Sequence, residues 1–121
     1  MKAFNEKNPV KADFSKSSYG FHGDVIVYKE NSLPKDFDQM KVIKENILAY
    51  GEHTGHCHKL FGENIDLREC PKTKTKYLRL VDEVTLKHQE HAPVVLPPGT
   101  YRIGIQKEYD HFEEITREVA D

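Results

Sequence analysis

The chain has 121 residues, of which 37% are hydrophobic and 31% charged, and its formal net charge is −2 with histidine neutral. That length favours one domain around one core, and the mixture is too apolar for a wholly disordered chain and too polar for a membrane-embedded one. Basic residues are scattered among acidic ones rather than gathered in a stripe, so neither a nucleic-acid partner nor a membrane is expected.

Residues 1–18 combine Lys, Asn, Ser and Pro with isolated apolar side chains, and read as a flexible arm ahead of a single β-domain over 19–121. The opening MKAFNEKNPVKADF lacks the apolar core of a signal peptide. Two cysteines, Cys57 and Cys70, cannot build a disulfide framework, so a reduced, cytoplasmic setting is expected. The first strand is expected near GFHGDVIVYKE, bounded by Gly23 and the turn NSLPKD. QMKVIKENILAYGEHTGHCHKL reads as strands with a bend, because glycines at 51 and 55 oppose a continuous helix. IDLREC is a short strand and PKTKTK a turn. KYLRLVDEVTLKH reads as one long strand, with Leu78, Leu80, Val84, Leu86 and His88 on one face.

APVVLPPGTYRIGIQKEY then gives strand, Pro-Gly turn and strand, with Tyr101, Ile103 and Ile105 sharing a face. A short C-terminal helix is expected in YDHFEEITREVA, capped by Asp110 with Glu113 and carrying Phe112, Ile115 and Val119 on its apolar side. Many short strands with Gly and Pro turns make the fold mainly β, a small antiparallel barrel or sandwich.

Histidines carry the chemistry. On a strand His56 and His58 share a face with backbones roughly 6.5 to 7 Å apart, so both imidazoles reach one ion. His88 and His91 form a second cluster near a strand end. His88 faces inward by parity, whereas a spacing of three turns His91 away unless the strand end bulges. Three or four imidazoles meeting in an apolar interior would hold zinc, iron or manganese as a divalent transition metal. The alternative is that each histidine is a solvated strand residue or a buried ring satisfied by a carbonyl. His22, His53 and His111 receive no ligand role. Glu63 and Glu52 are the best carboxylate candidates, Glu63 as a metal ligand and Glu52 as a proton acceptor, while Arg102 would anchor a small anionic ligand.

Gly51, Glu52, Thr54, Gly55, His56 and His58, followed by Glu63, resemble the first metal motif of cupins. With Gly51 the glycine-to-histidine spacing is one residue short. In the second motif Pro97-Pro98-Gly99 matches, but Arg102 stands where a histidine is expected, so His88 or His91 would have to replace that ligand. GEHTGHCH with LKHQEHAPVVLPPGTYRIGIQKEY also resembles a group of small cupin-like proteins of bacteria and phages. That resemblance implies a compact β-domain and brings no established activity.

The leading expectation is a single-domain, cytoplasmic, cupin-like β-barrel holding a metal through His56, His58 and His88, completed by His91 or Glu63, and acting as a metal-dependent enzyme on a small anionic substrate if it is catalytic. Two rivals stand beside it: a non-catalytic protein-binding module of phage or defence origin, and metal-free histidine acid/base chemistry on a phosphoester. Exposed edge strands favour a homodimer.

Overall fold

The computed structural model describes residues 3–50 and 55–106. Within them the strands are β1 (Val10–Lys11), β2 (Tyr19–His22), β3 (Val25–Glu30), β4 (Lys41–Val42), β5 (Ile47–Tyr50), β6 (Cys57–Phe61), β7 (Ile65–Glu69), β8 (Lys76–Leu80), β9 (Val84–Lys87), β10 (Val94–Leu96) and β11 (Gly99–Ile105). They form a five-stranded sheet, β1-β10-β9-β6-β5, and a six-stranded sheet, β2-β3-β11-β8-β7-β4. Each pairing is antiparallel except that of β1 with β10. Neither sheet closes on itself, so the described residues form a mainly β, sandwich-like fold and not a barrel. No helix among them is long and apolar enough to cross a membrane.

The core follows the period-two alternation. Leu60, Leu86 and Leu96 from one sheet meet Leu67, Leu78 and Tyr101 from the other, all at 1% exposure or less. Each such side chain contributes roughly 1.5–3 kcal/mol of transfer free energy. The Tyr101 hydroxyl is satisfied by donating to the Pro97 carbonyl at 2.6 Å.

KYLRLVDEVTLKH departs from the single strand expected of it. It breaks at 81–83, where Val81 is 66% exposed, and β8 and β9 fall in different sheets. Asn64 donates to Asp82 across this link at 2.7 Å. Because Leu80 and Val84 are four residues apart, the break preserves parity, and both flanking strands keep their apolar side toward the core. Three short links, 62–64, 81–83 and 97–98, cross between the sheets at the same end of the sandwich.

Tyr19–His22 forms a hairpin with β3. His22 lies opposite Val25, and the two-residue loop Gly23-Asp24 has φ 62 at its first position, where a tight hairpin favours glycine. The expected N-terminal arm is laid against the domain rather than standing off from it. β1 pairs with β10, Phe4 packs on Phe61 with centroids 5.1 Å apart, and Phe14 packs on Tyr101 at 5.6 Å. Its two phenylalanines find their partners in the sandwich itself. The expected C-terminal helix lies outside the described residues, as do Glu52, His53 and His111.

Candidate histidine centre

The end of the sandwich away from those three links carries the histidines. β6 and β9 pair with Lys59 opposite Lys87, so extending the register by one sets His58 opposite His88 on the inward face. Their rings are 4.5 Å apart between centroids, and His56 lies 5.4 Å from His88. The two separated stretches thus meet. His91, on the loop after β9, joins them at 4.6 Å from His88 and 6.1 Å from His58, nearly parallel to the latter. The side chain of Gln89 accepts from the Cys57 N–H at 2.8 Å, tying this loop to the start of β6.

From the opposite sheet comes His22. Its Nδ1 is 2.9 Å from Nδ1 of His58, and its Nε2 is 3.0 Å from the Ala92 carbonyl. Nε2 of His58 is 3.1 Å from a carboxylate oxygen of Asp24. Gly23 makes this approach possible: a Cβ there would sit 2.5 Å from His91 Nε2 and 3.2 Å from His58 Cε1. The N-terminal segment supports the same loop, with the Asn5 N–H donating to the His88 carbonyl and its side-chain amide to the Glu90 carbonyl, each at 2.9 Å.

Burial sets the protonation. It lowers His22 to about 4, against the Ala92 hydrogen bond and with help from the His91 and His88 rings. Burial also brings His58 down to about 4, reinforced by His22 and His88. His88 is lowered by burial and by His91 and His56. All three rings are therefore neutral at pH 7. A carbonyl and a carboxylate only accept, so Nε2 carries the hydrogen in both His22 and His58. Each neutral ring then has a bare lone pair on Nδ1, and the two lone pairs face each other across 2.9 Å. His88 differs: its Nδ1 accepts from the Glu90 and His91 N–H groups at 2.9 and 3.4 Å, which leaves hydrogen on Nε2. Among the described residues, no group of three or more His, Cys, Asp or Glu is already arranged around an ion-sized point.

Two residues foreseen for the site lie elsewhere. Glu63 sits in the exposed turn after β6, because the strand runs from the histidines toward the other end and five residues span about 16 Å. Arg102 is on the outer face of β11, where it donates to Glu30 at 3.0 Å and covers the Tyr28 ring at 4.0 Å. Its neighbours Tyr101 and Ile103 point inward. Missing from the sequence reading were His22 and Asp24. Gly-Asp between two strand-like runs is a hairpin signal, and taking it would have placed His22 at a strand end beside buried Val25.

Residues 21–106 match the family model described as a domain of unknown function, DUF8820. The chain belongs to this family. The DUF8820 segment contains His22, His56, His58, His88, His91 and Asp24, so the whole centre lies within the family domain. No curated protein and no solved structure matches the chain.

Proposed function

We propose that this domain binds one divalent transition metal, zinc, iron or manganese, through Nδ1 of His22 and of His58, with His91 as the third imidazole. The observation that carries the reading is the pair of facing lone pairs whose rings are each held from behind by an oxygen acceptor. Imidazoles bound to a metal are commonly oriented in this way, one nitrogen on the ion and the other donating to a carbonyl or carboxylate. Two nitrogens at about 2.05 Å from a tetrahedral ion stand about 3.3 Å apart, so each ring needs to move by only a few tenths of an ångström. Neutral rings present no proton for the ion to displace. His88 and His56 close the apolar side, and Asp24 fixes the tautomer of His58. The resemblance to cupins supports the reading through His58 alone, since His56, the other histidine of that motif, is not among the proposed ligands.

The test is elemental analysis of protein made without an affinity tag, followed by titration of the chelated protein with each metal. One equivalent bound, and its loss in His22→Ala, is the expected result. Failure to bind zinc, iron or manganese at micromolar concentration overturns the proposal.

A second reading has one observation in its favour: 2.9 Å is the length of an N–H···N hydrogen bond. A proton shared by the two Nδ1 atoms would make the pair an acid/base centre without metal. Nitrogen NMR of the chelated protein separates the two, because this reading requires a protonated imidazole pair at pH 7.

A further inference from the structure

Beside the histidine centre the N-terminal segment and the sheets line a partly open pocket of about 170 Å³. Its walls are chiefly Val10, Ala12, Phe14, Val27, Leu86 and Leu96, with Val94 at the side. Three residues with polar side chains also border it, Lys11, Asp13 and His22. The polar atoms of two of these are engaged elsewhere. His22 turns one nitrogen to His58 and the other to the Ala92 carbonyl, so only its carbon edge is left for the cavity. The Asp13 carboxylate accepts from the Ser15 N–H at 2.9 Å. The lining is therefore mostly apolar, and an apolar cavity of roughly 150 Å³ is large enough for benzene.

We infer that this cavity is a binding site for a small apolar molecule, a single aromatic ring or a short alkyl group of about six to eight non-hydrogen atoms. The site is independent of metal at the histidine centre. One wall is a strap of chain, β1 and the residues after it, which β10 holds through Val10 N–H to the Pro93 carbonyl at 3.0 Å and Ala12 N–H to the Val95 carbonyl at 2.8 Å.

The experiment is a fluorine NMR titration of the full chain with fluorobenzene, with and without chelator. Saturable binding that survives chelation is expected. Ala12→Leu and Val94→Phe, which fill the cavity from opposite walls, are expected to weaken it about tenfold or more, while Asp13→Asn leaves it unchanged. Thermal melts establish that each variant is folded, and if one fails to fold the other carries the test. Absence of saturable binding overturns the inference, as does undiminished binding in a folded filled variant, or loss of binding in Asp13→Asn.

Discussion

His22 and His58 come from different sheets, yet their Nδ1 atoms stand 2.9 Å apart while the far nitrogen of each ring is held by an oxygen. No pair of neutral tautomers satisfies all three contacts, since each oxygen demands a donor and the shared contact then has none. Under the proposed function, a metal ion between the two nitrogens would resolve this conflict.

If the ion is held as proposed, His22→Ala lowers metal content from about one equivalent to near zero. Asp24→Asn keeps the fold but removes the charged acceptor behind His58, and is expected to weaken metal affinity about 10–100-fold. Glu63→Gln and Arg102→Ala, at residues remote from the rings, leave it unchanged. Metal-competition titrations of the four variants check this order, and an Asp24→Asn affinity equal to wild type would separate Asp24 from the site.

Binding to the folded state alone raises stability by mass action. At free metal about 100 times the dissociation constant the gain is about 2.7 kcal/mol, and chelator removes it. Paired thermal melts with metal and with chelator should differ by several degrees, and by nothing in His22→Ala.

The chelated protein should lose stability in acid over a defined window. His22 and His58 both titrate near 4 in the fold, below the ordinary histidine value of 6.5. Between these values the unfolded chain binds more protons than the folded one, so stability is greatest above about 6.5 and falls steadily as pH drops toward 4. Below the folded value the slope from these rings disappears. Denaturant melts at half-unit pH intervals read the slope directly, and a flat profile from 6.5 to 4.5 would contradict neutral burial of the pair.

Gly23→Ala combines two faults. The backbone there has φ 62, and the new methyl would lie 2.5 Å from Nε2 of His91. A loss of roughly 1–3 kcal/mol in stability is expected, with displacement of the His91 ring visible in its NMR shifts. Gly20→Ala is the control, because its nearest contact is Phe14 Cε1 at 4.0 Å.

Much of the fold was legible because strand alternation is local. Leu78, Leu80, Val84, Leu86 and His88 were placed on one face by parity, and all are buried, although the strand that carries them is broken in two. What parity does not report is the sheet to which a strand goes, so the change of sheet at 81–83 was invisible. The same limit shaped the site. His58 lies on β6, and His56 and His88 directly flank the paired strands β6 and β9 on the same inward side, a relation that sequence spacing expresses. His22 and Asp24 reach the centre only through the packing of one sheet on the other, which no spacing encodes. Glu63 was misplaced for the opposite reason, since nearness in sequence along an extended strand means distance in space.

The links at 62–64, 81–83 and 97–98 sew the two sheets together covalently at one end. At the far end they meet through side chains: His22 reaches the Ala92 carbonyl, His58 reaches Asp24, and the rings of His22 and His58 face each other. The molecule is built like a clothes-peg, with a fixed spring at one end and jaws of imidazole at the other. Under the proposed function, a metal ion between those rings would decide how firmly the jaws stay shut.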